Sequence, residues 1–174
     1  FGFIGFDSVK KHHLYTDYEQ AILKEISNVI LVAFKRLDSQ NELDKEKELY
    51  TTTIESLNEG IVIIRPDLKV EYCNQMAKHI FGINVDNLQG IAIREGFKIK
   101  DYNTDEEVEY DWESVQTLKK LSLGNNVYIT QPSGAIKAIE GSITLNQKGS
   151  DFFGYILNFR DVTEQKDNER LTEA

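Results

Sequence analysis

Few side chains in this sequence are of the kinds that do chemistry, and their spacing keeps most of them apart. The three histidines are His12, His13 and His79, and the single cysteine is Cys73. His12 and His13 sit in a polar stretch with no cysteine or carboxylate cluster at metal-ligand spacing, so solvated loop residues are expected there and no metal. A lone cysteine closes no disulfide framework and completes no multi-cysteine zinc site. Cys73, at the end of a β-rich run, reads as a buried structural thiol, and His79 as a satisfied or exposed helix residue. No Ser/His/Asp or Cys/His set can be assembled, so no catalytic residues and no enzyme activity are expected of this chain. What remains is Asp161-Val162-Thr163, where a carboxylate and a hydroxyl can both bond nearby backbone groups. That pattern reads as an ordinary helix cap at Thr163, and a cap that directs the departing helix is also a signal junction.

Three strands must position this junction. Residues 127–130 and 135–146 flank the turn Gln131-Pro132-Ser133-Gly134, and residues 152–160 follow the turn at 147–151. In the middle strand Ile139, Gly141, Ile143 and Leu145 share one face, while Glu140, Ser142, Thr144 and Asn146 share the other. One face is therefore buried and one is wet. Upstream, residues 61–65 and 69–73 are two β-rich runs joined as a hairpin by Pro66-Asp67-Leu68. Asn74 offers an N-cap to a helix over 75–81 that Gly82 closes. Residues 85–110 hold short apolar stretches and the acidic run Asp105-Glu106-Glu107, read as a solvated loop, before a helix over 112–121. The order two strands, helices, three strands predicts an α+β fold: a five-stranded antiparallel sheet with helices on one face, preceded by a long N-terminal helix. A further helix starts near Thr163 or Glu164 and runs to the end.

Residues 1–6 read as a strand of interleaved aromatic, β-branched and glycine residues. Thr16 with Glu19 forms a capping-box pattern, and helix formers then continue to Gly60. Along that helix Ile22, Ile26, Val29, Ala33, Leu43, Tyr50, Ile54 and Leu57 recur at steps of four and three, a heptad seam. The same register places Arg36, Gln40 and Lys47 on the seam, and Leu37 suits a register shifted by one. One reading is an amphipathic helix packed on its own domain. The other is a parallel dimeric signalling helix, which the length favours.

In the 174 residues, 29 acidic against 20 basic side chains give a net charge of -9, which repels phosphate backbones and anionic lipid. No nucleic-acid partner and no membrane contact are expected. The longest apolar run, residues 29–34, is far short of the ~20 residues a membrane span needs. The single cysteine fits a reducing, cytoplasmic location.

Two stretches carry a resemblance to a known family. Glu59-Gly60-Ile61-Val62-Ile63-Ile64, Val70-Glu71-Tyr72-Cys73-Asn74-Gln75-Met76-Ala77 and Ile80-Phe81-Gly82 resemble the opening of a PAS domain. Gly154-Tyr155-Ile156-Leu157-Asn158-Phe159-Arg160-Asp161-Val162-Thr163-Glu164 resembles the PAS terminal strand and its Asp-x-Thr junction, so the resemblance covers residues 49–166. Separately, Gly2-Phe3-Ile4-Gly5-Phe6-Asp7-Ser8 before an amphipathic helix is similar to the last strand and helix of a GAF domain. The expected organisation is a GAF-like remnant over 1–16, a signalling helix over 17–58, a PAS-like sensor over 59–163 and an exit helix over 164–174.

The PAS resemblance implies a non-catalytic sensor and dimerisation module, a homodimer, in a bacterial signal-transduction protein. Its C-terminal output would be a GGDEF-type diguanylate cyclase, a cyclic-di-GMP phosphodiesterase or the histidine kinase of a two-component system. The ending Glu169-Arg170-Leu171-Thr172-Glu173-Ala174 resembles the helix leading into a GGDEF domain, so a diguanylate cyclase is the first expectation and a histidine kinase the second. A small-molecule pocket between sheet and helices would take its walls from Ile63, Ile80, Phe81, Leu118, Ile139, Ile143, Tyr155 and Leu157, with Tyr72, Thr144 and Asn158 as polar contacts. The same residues would equally fill a core around no ligand, leaving a purely structural relay module. The cofactor is unknown. PAS haem ligands generally come from the later long helix, here 112–121, which has no histidine. The Asn-Cys-Arg motif of photoactive flavin domains is missing, although Asn87-Leu88-Gln89-Gly90 resembles its tail, so neither haem nor photoactive flavin is expected.

Overall fold

Thr16 and Glu19 close the capping box the sequence predicts: the Thr16 N–H donates to Glu19 Oε2 at 2.8 Å, and the Glu19 N–H donates to Thr16 Oγ1 at 3.3 Å. Helix α1, Asp17–Glu55, follows from it. The computed structural model describes residues 4–7, 14–83 and 88–173. The chain divides into two units, Phe1–Thr51 and Thr52–Ala174.

In the first unit α1 buries none of its side chains, and Ile22, Ile26, Val29, Leu43 and Tyr50 are 41 to 67% exposed. Ala33 is exposed as well. Residues 4–7 form no strand; the rest of the strand expected over 1–6 lies outside the described residues, as do His12 and His13.

The second unit is built on one antiparallel sheet. Strands β1 (Gly60–Ile64) and β2 (Val70–Cys73) form the expected hairpin. Asn74 then caps α2 (Gln75–Phe81), which ends at Gly82 in the left-handed region, φ 65°. After α3 (Ile93–Gly96) come β3 (Lys100–Asp101), α4 (Trp112–Leu118), β4 (Lys120–Ser122), β5 (Val127–Thr130), β6 (Ile136–Lys148), β7 (Asp151–Asp161) and α5 (Thr163–Glu173). The strand order is β2-β1-β7-β6-β5-β3, with β4 pairing β6 off this path.

Five of these strands are the expected ones, and β3 and β4 are additions. The helix expected over 112–121 stops at Leu118 because Lys119 turns left-handed, φ 64°. The next three residues pair with β6, Lys120 opposite Thr144 and Ser122 opposite Ser142. Tertiary pairing overrides helix propensity here. The expected solvated loop before α4 is also partly ordered, since β3 pairs β5 and Lys100 bridges Glu107.

Alternation decides which face each strand residue joins. Val62, Ile64, Val127, Ile129, Ile139, Ile143, Tyr155, Leu157 and Phe159 are buried and belong to one core with Ala77, Ile80, Phe81, Ile93, Phe97 and Val115 from the helical side. Gly154 sits at the irregularity in the β6–β7 ladder with φ 122°, and a Cβ there would lie 2.0 Å from the Ile64 carbonyl oxygen. Only glycine allows β7 to approach β1 so closely at that angle.

Candidate functional site

A cavity of about 60 Å³ lies between the sheet and the elements around α3. Ile143 and Leu157, paired across β6 and β7, form its floor. Ile93, Phe97, Ile99, Val108, Tyr110 and Trp112 complete its apolar lining. The space suits a molecule of a few heavy atoms, well under the ~300–1,000 Å³ of ordinary ligand clefts. Polar groups stand at the rim: Arg94 pairs with Glu109 at 3.4 Å and Lys98 with Glu107 at 3.2 Å. Inside, the Tyr110 hydroxyl donates to the Leu123 carbonyl at 3.1 Å, and burial pushes its pKa up, so it stays a neutral donor.

Of the eleven pocket residues the sequence suggests, Ile143 and Leu157 line this cavity. Ile80, Phe81, Ile139 and Tyr155 are on the same side but buried as core. Phe81 fills its space with edge contacts to Phe97 at 4.5 Å and Phe159 at 5.2 Å between ring centroids. Leu118 is 64% exposed, because the chain turns away from the core at Lys119. Ile63, Tyr72, Thr144 and Asn158 point to the opposite face of the sheet. Ile63 pairs with both Tyr72 and Ile156, Thr144 with Ile156, and Asn158 with Ser142, one position out of phase with the core residues. The sequence reading missed Ile93, Phe97, Ile99, Val108, Tyr110 and Trp112. A signal for the last three was present: apolar 108, 110 and 112 alternate with acidic 107, 109 and 111.

Two hydrogen-bonded joints connect helices to the sheet within the second unit. At the first, the buried Asn74 amide makes four bonds. Its Oδ1 accepts from the Ile61 and Ala77 N–H groups at 2.9 and 3.0 Å, and its Nδ2 donates to the carbonyls of Ile54 at 3.1 Å and Glu59 at 2.9 Å. Beside it the Glu55 carboxylate accepts from the Tyr72 hydroxyl at 2.5 Å and from the Gln75 N–H at 2.7 Å. Burial and then the Glu55 bond push the Tyr72 pKa up. The last turn of α1 is thus tied to β1, β2 and α2 at once. Ile54 is half-buried and Leu57 is 41% exposed.

At the second joint, the Thr163 hydroxyl accepts from the Ala138 N–H at 3.0 Å and donates to Asp161, which also accepts the Thr163 N–H at 2.9 Å. Lys137 lies 3.0 Å from the Asp161 carboxylate. Burial raises the Asp161 pKa, but the Thr163 bonds and Lys137 outweigh it and hold the carboxyl below its ordinary value. Lys166 further ties α5 to the Asn125 carbonyl. The second joint unites the residues named from the sequence; the first was legible only in its Asn74 cap.

Cys73 is buried, and desolvation pushes its thiol pKa up, which suppresses the reactive thiolate. Among the described residues no cluster of three or more His, Cys, Asp or Glu side chains could hold a metal, and no helix is long and apolar enough to cross a membrane.

Residues 48–118 match the family model described as PAS domain. No curated protein matches the chain. Among solved structures it resembles the PAS domain of a protein from Colwellia psychrerythraea, with 14% identity, TM-score 0.52, and coverage of 67% of this chain and 97% of that one. A PAS domain from a two-component sensor histidine kinase gives 15% identity, TM-score 0.52, and coverage of 68 and 97%. The PAS domain of Bordetella pertussis BvgS gives 15% identity, TM-score 0.51, and coverage of 77 and 98%. None of these points to a catalytic family. The sheet and the helices on its one face give the chain a PAS-like fold, and residues 48–118 match the model of the PAS domain family.

Proposed function

We propose that this chain is a sensor and dimerisation module without catalysis of its own, relaying a signal between α1 and α5 through the sheet. The observation that carries the reading is the pair of joints: the end of α1 and the start of α5 are each held to the sheet by charge-assisted hydrogen bonds. A displacement of either helix must therefore strain the strands between them. The signal in this reading is a small, largely apolar molecule in the cavity over Ile143 and Leu157. The exposed heptad seam of α1 is the dimer contact. A net charge of -9 disfavours nucleic acid as the partner.

For the output, the ending of the chain favours a GGDEF-type diguanylate cyclase. A histidine kinase is the second reading, favoured by the likeness to the sensor-kinase PAS domain. The test of the sensor reading is an absorbance spectrum of the purified chain with mass spectrometry of compounds released on denaturation. A stoichiometric small compound is expected, and it should be lost in Leu157→Trp, which fills the cavity. A folded protein that releases nothing, and binds no member of a small-molecule library, favours the relay module without ligand.

A further inference from the structure

The residues on the two sides of the cavity mouth carry opposite charge. Arg94 and Lys98 line the cavity with Glu107, Val108 and Glu109, and just beyond it Lys100 follows the basic residues and Asp105-Glu106 precede the acidic ones in the run 105–109. Three ion pairs join the two, Arg94–Glu109 at 3.4 Å, Lys98–Glu107 at 3.2 Å and Lys100–Asp105 at 3.5 Å, and each acidic partner comes from the run. The run is fastened at both ends. Asp105 accepts a hydrogen bond from the Tyr128 hydroxyl, and Tyr110 donates to the Leu123 carbonyl. Between these points the Val108 N–H donates to the Ile99 carbonyl at 2.8 Å, and the Asp101 N–H to the Glu106 carbonyl at 3.1 Å. Val108 forms part of the cavity wall.

We propose that residues 106–109 are an electrostatically latched strap over the cavity, whose release admits a small apolar ligand. The inference rests on the reading of the cavity as a ligand site. The side chains in the three pairs are 34 to 78% exposed. Pairs of that kind are individually weak and are screened by salt, so the strap opens without the domain unfolding. Its fastened ends confine the motion to four residues.

The chain provides its own reporter, because its one tryptophan, Trp112, lines the cavity beside the strap. Acrylamide quenching of Trp112 fluorescence is measured from ~10 mM to ~1 M sodium chloride, over which the screening length falls from about 30 to about 3 Å. Amide exchange at Val108 is followed under the same conditions. The quenching constant should rise about twofold or more with salt, with faster Val108 exchange. Arg94→Gln/Lys98→Gln removes both pairs made by strap residues and leaves only Lys100–Asp105, which holds a fastened end; it should be as quenchable at low salt as the wild type is at high salt, and indifferent to further salt. The charge-swapped Lys98→Glu/Glu107→Lys should recover the salt dependence. Quenching and exchange that ignore both salt and the double variant, in protein with unchanged circular dichroism, overturn the strap. Salt-dependent access with no ligand ever retained leaves the strap standing and removes only the ligand reading; a retained ligand with salt-indifferent access does the reverse.

Discussion

Asn74 spends every hydrogen-bonding position of its amide on four backbone groups from four places in the chain. Truncation to alanine would leave those groups, one buried and three part-buried, without their partner, at about 1–3 kcal/mol for each that finds no water. Asn74→Ala is therefore expected to cost about 2–5 kcal/mol in urea unfolding; a loss under about 0.5 kcal/mol, the level of an ordinary surface change, would show that the hub is dispensable. Asp161 gives a pH dependence. Its folded pKa lies below the unfolded value of about 3.9, so its contribution is present above that value and is lost as pH falls through the lower folded value. Amide exchange at the start of α5 should accelerate below about pH 4 in the wild type. Asp161→Asn should already be fast at pH 7 and lack that acid step. Residue identity was legible where the bond is local, as at Asp161 and Thr163. It was not where partners lie far along the chain: the Asn74 bond to Ile54 spans a separation of 20 residues that no local pattern encodes. Residues 61–64 are apolar on both faces, so alternation could not say that Val62 and Ile64, rather than Ile63, face the core.

At the scale of elements, caps and turns were the most readable features. Asn74 and Gly82 bound α2 as expected, because cap chemistry is written in two residues. The region between α2 and β5 was not readable in the same way. There β3 and β4 are two and three residues long and exist only because β5 and β6 offer edges to pair with. The cavity walls come mostly from this region, which is why the site was less legible than the sheet. The joint at the end of α1 makes a separate prediction. Glu55→Ala removes the acceptor of the Gln75 N–H and the Tyr72 hydroxyl. Exchange at Gln75 and in residues 52–57 should rise about tenfold, equivalent to about 1.4 kcal/mol, while β6 and β7 stay protected. Unchanged exchange at Gln75 would mean that Glu55 does not hold the helix end.

For the whole molecule, composition and charge bounded the class, and matching patterns at both ends of the sheet marked the PAS-like fold. The proposed dimer rests on α1. Its seam residues from Ile22 to Val29 are exposed in the single chain, although burying such side chains is worth ~1.5–3 kcal/mol each. Arg36, Gln40 and Lys47 weaken the middle of the seam and favour one register over others. Sedimentation equilibrium of the 174-residue chain, beside Ile26→Lys/Val29→Lys, tests the relay most directly. The account predicts a dimer for the wild type and a monomer for the variant, with the sheet still folded by circular dichroism. A wild type that stays monomeric at tens of micromolar, or a variant that remains dimeric, would contradict it.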